Sequence, residues 1–420
     1  MKDETLCLHA GYSPGNKEPR VIPIVQSTTY VYDSIEEVGG VFDDPTKSII
    51  YSRFANPTVM AVEQKIAALE GGIAAMCSTS GQAAILISIL NLCSAGDSFI
   101  SPIQIYGGAT NLFTHTLHKL GIECIFVDCD ADEETLAKAF KPNTKLVFGE
   151  SLSNPSLAVL DIEKFSRVAH AHNVPLIIDN TFATPVLCKP ITFGADIVVH
   201  STSKYMDGHA VQIGGVIVDS GKFNWKNGKF PGLTEPDISY HGVSYTETYG
   251  NSAYIIKARM QLMRDYGVYP AAHSAFLLNL GLETLAIRME RYCDNALKVA
   301  QFLDASPKVQ SVTYPGLPSD KYHNLSTKYL KGNSGVIACE ISGGRENAVK
   351  FINSLKLASI EVHVADIRTS VLHPASTTHR QLSAWQLGEA GISDGLVRIS
   401  VGLEHIDDIL EDIENALANI

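Results

Sequence analysis

The sequence predicts an α/β chain: a large, mainly parallel sheet domain followed by a smaller C-terminal α+β domain. Short apolar runs alternate with amphipathic segments from AAMC, starting at residue 74, to GGVIV, ending at residue 218. That is the pattern of strand–helix–strand units whose strands are buried on both faces. From residue 281 onward the rhythm changes to a few strands mixed with long helices. The chain has 420 residues, 45% of them hydrophobic, enough for one large core and a companion.

Residues 1–57 show little periodicity and read as an extended N-terminal arm ending in YSRFANPT. A helix is expected from Thr58, a capping residue after Pro57. Val62, Ile66 and Leu69 recur at helical spacing and Gly71-Gly72 end it. The large domain, residues 58–280, then alternates strands (AAMC, SFISP, CIFV, KLVFG, PLIID, ADIVV, GGVIV) with helices (QAAILISIL, TNLFTHTLHKL, EETLAKAF, IEKFSRVAHAH). An insertion at about 221–249, dense in aromatics, Gly and Pro, interrupts it. GLETLAIRMERYCDNALKVAQFL is expected to bridge into the C-terminal domain, residues 281–420. There GVIACEIS and LVRISVG read as strands, ENAVKFINSLK and IDDILEDIENALANI as helices. The acidic run of the last helix fits a solvated face.

Against 33 basic residues stand 45 acidic ones, a net charge of −12, which argues against a nucleic-acid binder. Charged residues make up 19%, below the usual level of about 25%, as in chains that hide surface in an oligomer. The eight cysteines are scattered without a CxxC pair, so no zinc knuckle is spelled and free thiols in a reducing, cytoplasmic compartment are expected. MKDETLCLHAGYSP has no signal-peptide pattern, and runs such as AAILISILNLC fall short of the ~20 residues a bilayer span needs. No membrane and no metal partner is expected.

In parallel sheets, ligands bind beyond the carboxyl ends of the strands. After AAMC come Ser78-Thr79-Ser80-Gly81-Gln82, either a phosphate cradle at a helix N-terminus or an ordinary cap. After SFISP comes Tyr106-Gly107-Gly108, and after KLVFGES, Asn154-Pro155. PLIID closes on Asp179-Asn180-Thr181, where the carboxylate is either a ligand group or a structural salt bridge. After ADIVV come His200-Ser201-Thr202-Ser203-Lys204-Tyr205. Lys204 alone reads as a phosphate clamp, a surface lysine or an amine desolvated for Schiff-base formation. Its company favours the last. An aldehyde cofactor needs a lysine, an acid for its ring nitrogen, an aromatic over its ring and a phosphate cradle, and all four follow consecutive strands. His200 reads as a core histidine, since no metal partners stand at suitable spacing. His373 and His379, flanking HPASTTH, read equally as site-lining or structural.

The segment IIDNTFATPVLCKPITFGADIVVHSTSKYMDGH resembles the pyridoxal-phosphate site of the Cys/Met-metabolism enzymes. The likeness runs in collinear order from LCLHAGY through YSRFANPT, STSGQAA, IYGG and GESLSNP to HPASTTHRQL and LVRISVGLEHIDDIL. It implies a fold-type I enzyme that uses pyridoxal 5'-phosphate. Lys204 would carry the cofactor and shuttle protons, Asp179 would pair with its ring nitrogen, and Tyr106 would stack on the ring and act in catalysis, activating the incoming amine or protonating a leaving group. Asn154 would sit near the ring hydroxyl, while Ser80, Gly81, Gln82, Ser201 and Ser203 would hold the phosphate. Tyr51 and Arg53 would reach the phosphate of a neighbouring subunit, implying a homodimer with shared sites, usually paired into a homotetramer. Arg398 would clamp the substrate α-carboxylate.

The sequence departs from that family's pattern at several places. Ser203 stands for threonine, Ala109 follows the YGG turn, His209-Ala210 replaces His-Gly, and His363-Val364-Ala365-Asp366 replaces an Asn- or Ser-led turn with glycine. The 221–249 insertion is similar to that of the sulfhydrylase branch. This implies γ-replacement on O-acetyl-L-homoserine by sulfide or a small thiol, giving homocysteine or methionine plus acetate. The alternatives are γ-elimination of the methionine γ-lyase or cystathionine synthase and lyase type, and a non-catalytic pyridoxal-phosphate-binding protein. Two further expectations concern substrate choice: the aromatic insertion closes over the cofactor, and Gly108 leaves open space where lyases carry a cysteine.

Overall fold

Leu176–Asp179 and Ile197–Ser201 are short aliphatic runs, buried except for the half-buried Ser201, and they lie side by side at the centre of a sheet. A computed structural model describes residues 1–43, 49–378, 380, 387–388 and 391–420. The sheet contains β1 (Ala74–Ser78), β2 (Ser98–Pro102), β3 (Glu123–Val127), β4 (Thr144–Glu150), β5 (Leu176–Asp179), β6 (Ile197–Ser201) and β7 (Gly215–Asp219). Its order is β1-β7-β6-β5-β4-β2-β3. Strands β2 to β6 are parallel, whereas β7 runs antiparallel to both β1 and β6. A second sheet holds β8 (Val309–Thr313), β9 (Val336–Ile341), β10 (Ser359–Ile360), β11 (Ser370–Leu372) and β12 (Leu396–Ser400), in the order β10-β11-β12-β9-β8. It is antiparallel except between β10 and β11.

The helix Leu285–Asp304 joins the two layers. Leu285, Ala286, Met289 and Tyr292 pack in the core under the large sheet, and Ala296, Val299, Ala300 and Leu303 pack under the second. Each such leucine, valine or methionine contributes roughly 1.5–3 kcal/mol by leaving water, which ties the second sheet to the first. No helix among the described residues is long and apolar enough to cross a membrane.

Three local expectations are corrected. The first long helix begins at Pro57, not Thr58, because Asn56 is its cap and accepts the Thr58 N–H at 3.0 Å. Proline suits the first helical position, where no N–H is needed. Thr58 instead clips the arm: its hydroxyl donates to the Pro23 carbonyl at 2.7 Å and accepts from Val25 N–H at 2.9 Å. The arm itself is not wholly extended, for Asp3–His9 and Ile35–Asp43 are helices. Asp3 pairs with Lys189 and Lys331 at 2.7 and 2.8 Å and Cys7 is buried, so the first helix is docked on the main body. Gly11 makes that docking possible. A Cβ there would lie 2.0 Å from the Ala61 carbonyl, and its φ of +85° belongs to glycine.

The third correction concerns the aromatic insertion. Because β7 is antiparallel, it delivers the chain at Asp219 beside Ile197, the start of β6 and the far end of the sheet from Ser201. There Trp225 and Phe230 are buried, and the Trp225 ring stacks on Tyr254 at 5.3 Å. Asn227 donates to the Asn173 carbonyl ahead of β5 at 3.0 Å, and Lys229 to the Thr144 carbonyl at the start of β4 at 3.3 Å. These rings plug the amino ends of the strands. They do not form a lid over the carboxyl ends.

Candidate active site

The carboxyl ends of β1, β2, β4, β5 and β6 bring the sequence-marked residues into one connected set. Lys204 follows β6 and is mostly buried, with its Nζ 3.1 Å from Nδ1 of His363. The His363 carbonyl accepts from Arg398 Nη2 at 3.2 Å, and Arg398 Nη1 donates to Asn154 Oδ1 at 3.3 Å. Asn154 N–H and Tyr106 N–H donate to the two oxygens of Glu150, at 3.3 and 2.7 Å. Gln82 donates to the Gly108 carbonyl at 2.8 Å, tying the helix Gly81–Leu90 to the Tyr106 turn.

The phosphate-type cradle is built by close approach. Ser80 caps the helix Gly81–Leu90, its hydroxyl accepting Ala83 N–H at 3.0 Å. A Cβ on Gly81 would sit 2.6 Å from Ser201 Cβ, so only glycine lets this helix end press onto the end of β6. The first amides of such a helix have no intrahelical acceptor and favour an anion. Ser203 lies beside them but is engaged with Gly214, accepting its N–H at 2.9 Å and donating to its carbonyl at 3.3 Å. Its hydroxyl thus holds the 203–214 loop in shape.

Asp179 closes the set. One oxygen, Oδ1, accepts from Thr181 N–H at 2.9 Å and from the Thr181 hydroxyl at 2.5 Å. The same hydroxyl accepts Ser201 N–H at 2.9 Å, linking the acid to the cradle. Oδ2 has no hydrogen-bond donor among the described residues. Glu150 stands opposite Asp179 in the parallel register of β4 and β5, and both are buried. Burial raises both carboxyls, and the Asp179 charge pushes Glu150 well above the ordinary range. Each carboxyl accepts two donors, and Glu150 is the one pushed further up, so of the pair we take Asp179 as the anion. Glu150 was missed in the sequence: it sits inside KLVFGES, and only the strand register shows its partner.

Burial, and then the charge of Arg398, push the Lys204 amine down to about 8. A lysine in that state is part neutral near neutral pH and can attack a carbonyl. Arg398 is itself pushed down to about 10 by burial and stays cationic. Tyr106 is 48% exposed, with its ring folded back over Gly108, where a Cβ would meet it at 2.4 Å. The space expected at Gly108 is therefore filled by the Tyr106 ring.

Other candidates fall elsewhere. Arg53 donates to the Arg264 carbonyl at 2.8 Å and lies against the Tyr51 and Phe54 rings, apart from the contacts around Lys204. His200 pairs with Glu70 at 2.6 Å, both fully buried, which is the core role expected of it. His373 bonds Ser376 and the Asp394 carbonyl, each at 2.8 Å, and is structural; His379 lies outside the described residues. A cleft of about 290 Å³ lined by His170, Asp196 and Lys222 opens at the amino ends of β5 and β6, away from this set. Two departures from glycine take a left-handed backbone, Ala210 at φ +57° and Ala365 at φ +67°. Each costs roughly 1–2 kcal/mol. For Ala365, an N–H bond to the Ser400 hydroxyl at 2.8 Å helps to offset it.

These residues fit pyridoxal phosphate. They offer a desolvated amine, a buried carboxylate with a free oxygen and no basic side chain paired with it, an aromatic ring, and a helix end closed to any Cβ. The comparisons agree. The model of the Cys/Met metabolism PLP-dependent enzymes matches residues 4–418. O-acetyl-L-homoserine sulfhydrylase of Leptospira meyeri is 44% identical over 431 residues, covering 100% of this chain and 97% of the relative. Homocysteine synthase of Schizosaccharomyces pombe is 46% identical over 419 residues, covering 99% and 97%. A solved Campylobacter jejuni structure named as an O-acetylhomoserine (thiol)-lyase, which carries a pyridoxyl-lysine phosphate, superposes with a TM-score of 0.96 at 37% identity over 100% of both chains. On fold, site and sequence together, the chain belongs to the Cys/Met metabolism PLP-dependent enzyme family.

Proposed function

We propose that this chain replaces the γ-acetoxy group of O-acetyl-L-homoserine with sulfide or a small thiol, releasing acetate and giving homocysteine or, from methanethiol, methionine. The observation that carries the reading is its full-length identity, 42–46%, to six relatives named as O-acetylhomoserine sulfhydrylases or homocysteine synthases.

Pyridoxal phosphate bound at Lys204 supplies the electron sink for chemistry at the substrate's α-carbon. The chain's own residues do the rest. Asp179 would hold the ring nitrogen with its free oxygen, and the two Thr181 donors aim that carboxylate and favour its charge against the burial that raises it. Ser80, Gly81, Gln82 and Ser201 would hold the phosphate, and Ser203 would shape the loop beside them. Arg398, steered by Asn154 and the His363 carbonyl, presents its fork to the α-carboxylate. Lys204 moves protons among the α-, β- and γ-side atoms, which its lowered basicity permits near neutral pH. Tyr106, held by Glu150, covers the ring.

None of these groups separates replacement from elimination. Acetate is a far weaker base than methanethiolate and leaves more readily, which favours an ester substrate. We therefore expect kcat/KM for O-acetylhomoserine plus sulfide to exceed that for cleavage of methionine alone by a wide margin, measured side by side on the purified enzyme. Equal or faster methionine cleavage would assign the chain to the lyases. Inactivity in both assays would mark a non-catalytic homologue.

The assembly belongs to the same proposal. Arg53 and Tyr51 stand clear of this chain's own Lys204, in keeping with service to a second subunit's phosphate in a homodimer, paired into a homotetramer. Mixing inactive Arg53→Ala and Lys204→Ala subunits should restore activity, up to about a quarter of the wild-type value. An absence of recovery after demonstrated subunit exchange refutes the shared site. All eight cysteines are free and burial pushes their thiols up, which supports a reducing, cytoplasmic setting.

A further inference from the structure

We propose that His363 is a positioning residue of this site: its Nδ1 accepts a hydrogen bond from the free Lys204 amine, and its Nε2–H donates to an oxygen of the amino-acid substrate. The proposal rests on the function assigned above. It concerns His363, which heads one of the turns where this sequence departs from the pattern expected from the resemblance.

The charge of the lysine sets the tautomer. Nδ1 lies 3.1 Å from Lys204 Nζ, and below about pH 8 that amine is mainly ammonium and has only donors, so Nδ1 accepts and the ring proton lies on Nε2. Nε2 is buried and has no partner among the described residues. A buried donor without an acceptor is costly and rare in a native protein, which marks it as a group awaiting a ligand. The ligand class follows from the neighbours. The carbonyl of this same residue accepts from Arg398 Nη2 at 3.2 Å, and Arg398 is the cation available for a carboxylate. An amino-acid substrate held there places its oxygens at the imidazole.

The backbone of the turn is held in place: Ala365 N–H bonds the Ser400 hydroxyl at 2.8 Å, and Ile367 N–H bonds the Gly208 carbonyl at 2.8 Å. Burial and the Lys204 charge hold the imidazole down at about 4, which keeps the ring neutral, with one nitrogen free to accept, throughout the working range. The contact belongs to the state in which the lysine is free. That state occurs before the cofactor is captured and again whenever substrate has displaced the lysine during turnover.

The test uses the full chain with three side chains at this position. His363→Ala should capture pyridoxal phosphate, followed by absorbance after removal of the cofactor, about tenfold more slowly. Once reloaded, it should lose roughly 10- to 100-fold in kcat and show a raised KM for O-acetylhomoserine, as expected for loss of a hydrogen bond to a charged group. His363→Asn keeps an acceptor and a donor and should recover most of the capture rate and kcat. His363→Leu keeps the bulk alone and should behave as alanine does. Thermal midpoints of all variants identify any that are merely unfolded. Alanine and leucine variants that capture cofactor and turn over within twofold of wild type overturn the proposal, as does a folded asparagine variant no better than alanine. If wild type itself has no activity on O-acetylhomoserine, the functional reading fails, and the capture rates still decide whether His363 positions Lys204.

Discussion

Lys204→Ala should lower turnover by at least about 10⁴-fold, because it removes both the covalent anchor and the main proton carrier, each worth orders of magnitude. The side chain is embedded between His363 and the end of β6, and alanine leaves the backbone bonds of the 201–208 turn in place. The variant should therefore fold normally and still bind pyridoxal phosphate, reversibly. Borohydride reduction followed by mass spectrometry reads the difference: a permanent adduct on the wild type at Lys204 and none on the variant. The amine's position at about 8 adds a pH signature. Below that value it is mainly ammonium and unreactive; above it the free base dominates. Capture of the cofactor by the stripped wild-type chain should accelerate as pH rises through about 8 and then level. Substantial residual turnover in the variant, or an adduct on another lysine, would remove Lys204 from its role.

Much of this site was legible because parallel strands put their chemistry where apolar runs end. Ser80, Tyr106, Asn154, Asp179 and Lys204 each follow such a run, and the fold only had to gather them. What escaped was information carried by pairing. Glu150 reads as one more polar residue after a strand until the register sets it opposite Asp179. His363 meets Lys204 across 159 residues, a contact no local pattern encodes. The direction of β7 escaped for a similar reason. GGVIV has the composition of a buried parallel strand, and its reversal follows from its return after the short 202–214 loop. That reversal carries Trp225 and Phe230, in the first part of the aromatic insertion, to the opposite end of the sheet. The helix Asp3–His9 is too short for periodicity to declare, and its docking depends on Lys189 and Lys331, far along the chain.

Asp179→Asn should cost about 10²- to 10⁴-fold in kcat/KM, the range that follows from taking away one partner of a buried ion pair at ~3–5 kcal/mol. Size and the hydrogen bonds from Thr181 survive in the amide oxygen, so the loss is one of charge. A neutral partner no longer favours a protonated ring nitrogen, and the electron sink weakens with it. Glu150 supplies the control. It lies in register with Asp179, is equally buried and is pushed well above the usual carboxylate range, which favours its uncharged form. Glu150→Gln is uncharged and keeps the carbonyl acceptor for Tyr106 N–H, losing only the longer bond from Asn154 N–H. It should cost no more than about fivefold, the scale of one modest hydrogen-bond change. Asp179→Glu, which retains the charge but displaces it, should fall between the two. Steady-state kinetics with the cofactor saturating separates these effects from simple loss of binding. If Glu150→Gln proves as damaging as Asp179→Asn, the working charge is shared or lies on Glu150. The assignment of Asp179 as the lone anion at the ring nitrogen then has to be given up.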